Sequence, residues 1–350
     1  MDLVSARVIG YLLLYPLNHT SRQRVTTEVF SINRLYKNEV SEKVFLLGKM
    51  YIDHLICPFR GSPGRTPSSS QHVSRPSYDF LRDMIRETLV PYPTNHSQTK
   101  SNALIRDGFR CMVTRKLDLE SVASVKDLGT LVASEWPKDP GTTTECAYIF
   151  PKSTSSGISG TTPPELQKLQ CAASFWTILE SFGYSGISQE LNGQQVHQLG
   201  NVMTHDIGLH KWMDKLVLWF EEAADGVPNH YNVKIIERYE TLARRHLSLP
   251  TDVTFTVDQI VQSRLKPDSP PLTGSELPLP NPKYLHIHAS VCRIAHMSGA
   301  ADYIDFIFRD MERLDVLAED GASADVLAGT LSFSTALPAV GTALVRECGR

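Results

Sequence analysis

Residues 201 to 220 read NVMTHDIGLHKWMDKLVLWF. Asp206, His210 and Asp214 fall four residues apart, so a helix would carry them on one face, while Leu209, Trp212, Met213 and Leu216 form an apolar set on another. Carboxylates and a neutral imidazole are common ligands of divalent cations, and such a stripe can hold one. The same stripe is equally the wet side of an amphipathic helix, with Asp206 near the N-terminus favoured by the helix dipole. Asn201, just upstream, is of a type that commonly serves as a turn or capping residue. Spacing alone leaves both readings open.

The elements that would position these residues can be read from periodicity. VIGYLLLYPL (8–17) is apolar over too short a run to span a bilayer and reads as a core helix, so no membrane partner is expected. RVTTEVFSINRLY (24–36) and SEKVFLLGKMYIDHLICPF (41–59) follow as helices, the second ending at Pro58. A Pro/Gly/Ser-rich loop with Arg60, Arg65 and Arg75 fills 58–77. YDFLRDMIRETLV (78–90) and SQTKSNALIRDG (97–108) are again helical, Gly108 being placed to cap the latter.

Then the character changes. FRCMVT (109–114) and TECAYIFP (144–151) have strand-compatible residues, and PELQKLQCAASFWTILESFG (164–183) reads as a helix between them and residue 201. LVLWFEEAADGVPNHYNVKII (216–236) reads as a hairpin turning at Asp225-Gly226 and Pro228-Asn229, and LPTDVTFTV (249–257) as a further strand. A proline-rich connector (268–282) leads to two closing helices, KYLHIHASVCRIAHMSG and ADYIDFIFRDMERLDVLAE. His286, His288, His296 and Cys292 lie among core positions of the first and are assigned no chemistry, and Trp176, Trp212 and Trp219 read as packing residues.

At 350 residues and 41% hydrophobic, the chain can bury a sizeable core. A net charge of -3 excludes a histone-like polycation but leaves room for a local basic groove. Six cysteines without CxxC spacing read as reduced thiols, which suits an intracellular, cytoplasmic or nuclear location, and the sequons at Asn18 and Asn95 are then incidental.

Three segments, ALIRDGFRCMVTRK (103–116), ECAYIFPKS (145–153) and LNGQQVHQLGNVMTHDIGLHKWMD (191–214), resemble in order and spacing the HNH endonuclease domain found in many fungal proteins. With its flanking text the resemblance covers roughly residues 80 to 330. It implies an α+β fold: a helical N-terminal region (1–96), a central ββα-metal HNH-like unit within 97–257, a connector (258–283), and C-terminal helices and tail (284–350). It further implies a divalent metal ion (Mg, Mn or Zn), DNA as partner, and hydrolysis of a phosphodiester. His210 with Asp206 would take the metal, and Asn201 would orient a general base.

The family places that base, a histidine, where this chain has Tyr148. A phenol near pKa ~10 is a far weaker base at neutral pH than an imidazole near ~6.5. The resemblance therefore implies impaired catalysis, or a non-catalytic nucleic-acid-binding or interaction protein on a degenerate scaffold. His197 and His205, flanking Asn201, are the histidines that could stand in. Arg115 replaces the family's glycine after VT, and Tyr148 and His210 are expected to face one shared cleft.

Overall fold

The computed structural model describes residues 2–34, 37–60, 77–135, 140–154, 163–258 and 277–314. Most of the Arg-bearing loop, most of the proline-rich connector and the C-terminal tail lie outside these. The fold mixes helix and sheet, as an α+β reading expects.

The N-terminal helices are α1 (Asp2–Leu14), α2 (His19–Asn33) and α3 (Lys37–Tyr51), the last continuing through a π turn, Ile52–Ile56. Val8 and Leu12 of α1 are fully buried, the core role read from VIGYLLLYPL. At Gly48 a β-carbon would stand 2.2 Å from the Ser5 carbonyl oxygen, so glycine is what lets α3 lie against α1. Asn18 caps α2, its side chain accepting from Ser21 N at 2.8 Å, and Asn95 caps α5 (His96–Arg106) through Gln98 N at 3.0 Å. Both sequon asparagines thus have structural work at helix starts.

Between α3 and α5 lies α4 (Leu81–Thr88); beyond α5 come α6 (Leu119–Ser124) and α7 (Lys126–Glu135), two short helices that the periodicity reading passed over. β1 (Thr144–Tyr148) is followed by α8 (Pro163–Ser181) and α9 (Ile187–Leu191), then β2 (Val202–Asp206), which runs directly into α10 (Ile207–Asp214). β1 and β2 are antiparallel, pairing Glu145 with His205 and Tyr148 with Val202. A second antiparallel sheet has the order β3 (Leu218–Glu222), β4 (His230–Ile235), β5 (Asp252–Thr254), with α11 (Glu237–His246) between the last two. Gly226 and Asn229 take positive φ in the β3–β4 turn, where the sequence places it.

α12 (Pro282–Ser298) and α13 (Ala300–Leu314) close the described fold. α12 packs against α1 and β3, so one hydrophobic cluster runs from Val8 through Phe150, Phe182 and Phe220 to Ile304. A smaller cluster gathers α4, α5 and α7 against Cys146 and Val202. His286 and His296 are tied to the Leu17 and Leu216 carbonyls at 2.7 Å each, and His288 lies against Cys292. Among the described residues Cys57, Cys111, Cys146 and Cys292 are free thiols, and no helix is long and apolar enough to cross a membrane.

FRCMVT does not form a regular strand. Arg110 bridges Leu117, Met112 N donates to Thr204 O at 2.8 Å, and Arg115 turns the chain with φ +58°. The left-handed conformation that a glycine would supply is kept here by an arginine whose guanidinium pairs with Asp258.

Candidate active site

The anchor of the region is Arg106, at the end of α5 and fully buried. Its guanidinium pairs with Asp107 at 2.7 Å and donates to the carbonyls of Leu199 (2.8 Å), Val202 (2.9 Å) and Pro278 (3.0 Å). Asp107 in turn accepts from Thr204 N at 3.3 Å. A buried guanidinium persists only when its donors are satisfied, and here the acceptors are the backbone leading into and along β2. The Arg-Asp helix end read from the sequence is thus the brace that fixes β2 against α5.

Asn201, fully buried, neither caps a helix nor touches a reacting group. Its Oδ1 accepts from Phe150 N at 2.8 Å, and its Nδ2 donates to Phe150 O at 3.1 Å and to Val196 O at 3.0 Å. One carboxamide therefore joins the segment just past Tyr148 to the segment just before His197.

The strand pleat divides the remaining residues between two faces. On one face, Tyr148 lies with Cys146 in the cluster packed by α5. Its hydroxyl is 2.8 Å from His197 Nδ1 and 3.3 Å from His96 Nδ1, and Lys152 Nζ stands 5.0 Å from the ring centre. Burial raises the Tyr148 pKa above its ordinary value, so the phenol keeps its proton. Desolvation, then the charges of Lys152 and Lys100, push His96 down to about 4, and desolvation with Lys152 lowers His197. The face is a phenol between two neutral imidazoles.

On the other face, Glu145 Oε2 meets His210 Nδ1 at 2.6 Å, and His210 Nε2 lies 3.6 Å from Asp214 Oδ2. Burial pulls the His210 pKa down, but the Glu145 hydrogen bond and the two carboxylate charges outweigh it and the net shift is upward. The hydrogen bond to His210 holds Glu145 low, whereas burial raises Asp214. His205, also on this face, is fully buried with its ring 5.9 Å from that of Phe220. Both its nitrogens lack a hydrogen-bond partner, and burial pushes its pKa to about 3. It is a packing residue and does not stand in for a base.

The hydrogen bonds pair these residues differently from what their spacing suggests. Asp206 is not beside His210: it is the N-cap of α10, accepting from Gly208 N at 2.8 Å and from the Thr142 hydroxyl. The extended backbone of an N-cap (φ -51°, ψ 140°) turns its carboxylate to the helix end and away from the stripe. Asp214, at the other end of the stripe, is the carboxylate that His210 meets. Tyr148 and His210 have no common hydrogen-bond partner, since Tyr148 meets His197 and His96 whereas His210 meets Glu145, which alternates with Tyr148 along β1, and the His210 charge is nonetheless felt at His96. The charge of Lys152 is felt at His96, His197 and His210.

Could these residues fit a cation? Among the described residues no three His, Cys, Asp or Glu side chains are placed to hold one. His210 and Asp214 make a pair whose 3.6 Å separation suits two donors each about 2 Å from a shared ion. Glu145 at Nδ1 favours the tautomer that leaves Nε2 available, the usual role of a carboxylate behind a ligating histidine.

Sequence reading passed over Glu145, His96 and Lys152. Glu145 had one signal, its place in a strand beside Tyr148; His96 and Lys152 had none, because only the fold brings them to that strand. The chain matches no protein-family model, no curated protein and no solved structure.

Proposed function

We propose that the chain is an HNH-like, metal-dependent endonuclease scaffold acting on DNA phosphodiesters, with weak catalysis. The observation that carries this reading is the β1–β2–α10 arrangement, in which Asn201 fastens the end of β1 and His210 reaches back from α10 to Glu145. This strand, strand, helix order supports the ββα unit that the resemblance implies. His210 and Asp214 would hold a divalent cation, which would stabilise charge on the phosphate and on the leaving oxygen. Glu145 orients His210, Lys152 contributes positive charge beside the strand end, and Tyr148 occupies the position of the base. A non-catalytic DNA-binding role is the second reading, and the protonated, hydrogen-bonded Tyr148 hydroxyl is what favours it.

The test is nicking of supercoiled plasmid with Mg²⁺ or Mn²⁺ by the natural chain, by Tyr148→His, and by Tyr148→His combined with His210→Ala. The natural chain is expected to nick slowly. Tyr148→His should raise the rate by a measurable part of the ~10²- to 10⁴-fold typical of an aimed general base, and loss of His210 should abolish the gain. A thermal melt with the same ions should show stabilisation that disappears in His210→Ala. No cation-dependent stabilisation and no nicking by any of these chains would sink the reading.

A further inference from the structure

The geometry points to His197 as the proton acceptor of this site, working through the hydroxyl of Tyr148. The inference rests on the nuclease reading and supplies the base that the Tyr148 position otherwise lacks. Three observations converge on it. The phenolic oxygen is 2.8 Å from His197 Nδ1, within ordinary hydrogen-bond distance, whereas His96 stands further off at 3.3 Å. Asn201 fixes the spacing of the pair, since its carboxamide binds Phe150 on one side and Val196 on the other, two residues after the phenol and one before the imidazole. Thr99 of α5 adds a third tie, donating to His197 O at 3.1 Å. The side chain expected to orient a base thus holds a phenol–imidazole pair in register.

The step balances without any further reagent. A water molecule at the strand end gives a proton to Tyr148 Oη while the phenolic proton passes to His197 Nδ1. The water oxygen forms a bond to phosphorus, and the bond from phosphorus to the leaving oxygen breaks. The leaving oxygen takes a proton from solvent, and the His197 imidazolium returns one through Tyr148. A direct imidazole would be a shorter route, which is why Tyr148→His is expected to be faster.

The charged and titratable groups facing the pair are His96 and Lys100 from α5, Cys146 within β1, Lys152 beyond it, and His210 across the strand from α10. Lys152 is the charge acting on His197 itself, and it disfavours the imidazolium. The rate should therefore fall on the acid side, as pH drops through a His197 value held below the ordinary 6.5.

The experiment is a pH profile of Mg²⁺-dependent plasmid nicking by the full chain, His197→Ala, His197→Gln and Tyr148→Phe, each first checked by thermal melt. His197→Gln keeps a hydrogen-bonding group beside the phenol and guards against simple loss of fold. All three variants should lose on the order of 10²-fold, and the acid limb should vanish with His197. Added imidazole should restore His197→Ala but not Tyr148→Phe, a rescue that a structural role would not give. Independently of turnover, Tyr148→Phe should shift the His197 ring nitrogen resonances in an NMR titration. Nicking that survives His197→Ala within about threefold overturns the proposal and leaves the nuclease reading standing. A chain that nicks with no divalent ion sinks both. Full activity in Tyr148→Phe with loss in His197→Ala overturns the relay in favour of direct contact.

Discussion

The two faces of the β1–β2 sheet carry the same kinds of polar side chain and put them in opposite states. On the α5 side, burial keeps the proton on Tyr148, and burial together with nearby lysines keeps His96 and His197 neutral. On the α10 side, His210 is drawn toward imidazolium by Glu145, whose own carboxylate is stabilised in return. Burial lowers all three histidines, and at His210 the carboxylates of Glu145 and Asp214 reverse the shift.

The largest expected effect breaks both faces together. Arg106→Met removes the brace on the Leu199, Val202 and Pro278 carbonyls and strands Asp107 in the interior. Removing one partner of a buried ion pair costs about 3–5 kcal/mol, and urea unfolding should register a loss of that order. A loss under about 1 kcal/mol would mean that the knot carries little weight.

Asn201→Ala should act on one face only. Phe150 and Val196 lose buried partners, for an expected cost of about 1–3 kcal/mol, and the Tyr148–His197 contact loosens. Imidazole resonances from His197 should move while those of His210 stay; equal movement of both would erase the distinction between the faces.

The smallest effect is the most selective. A raised His210 pKa stabilises the fold below the unfolded value of 6.5, and that contribution is lost as pH rises through the folded value. A lowered Glu145 pKa stabilises it above 4.5 and is lost as pH falls through the folded value. The pair therefore contributes most between pH 4.5 and 6.5. Because both groups are partly exposed, about 0.5–1 kcal/mol is expected there, read as the stability difference between the natural chain and Glu145→Gln. A difference that does not change between pH 5.5 and 8.5, roughly either side of the imidazole range, would show that the pair is not an ion pair.

The long helices were legible because apolar side chains recur on one face, and the β3–β4 hairpin because its turn residues are unambiguous. α6, α7, α9 and α11 were not, since short or strongly polar helices carry little periodic signal. FRCMVT has strand propensity, but its polar groups are taken up by the turn at Arg115 and by β2. In the candidate site, Asn201 and His210 were legible as positions and not as contacts. Asp206 and Asp214 are equivalent by spacing, and what separates them is which one caps the helix. Glu145 and His96 become neighbours of His210 and Tyr148 through strand pairing and helix packing, which are not written in any local pattern.

The pairing of β1 with β2 spans all of α8 and α9. A hairpin closed over so long an excursion cannot zip from a tight turn, so its loop-closure cost must be met by other contacts first. Phe175 and Phe182 of that excursion are buried in the large core, against elements from both ends of the described fold. The order of assembly should then run from the helical core inward, with the two strands joining late. Amide hydrogen exchange would expose this as earlier protection in α1 and α12 than at Glu145 or Met203 during refolding. Strand protection appearing first would reverse the order. In a chain built this way, a cell that slows or strains folding would lose the chemistry of the strands before it lost the body of the protein.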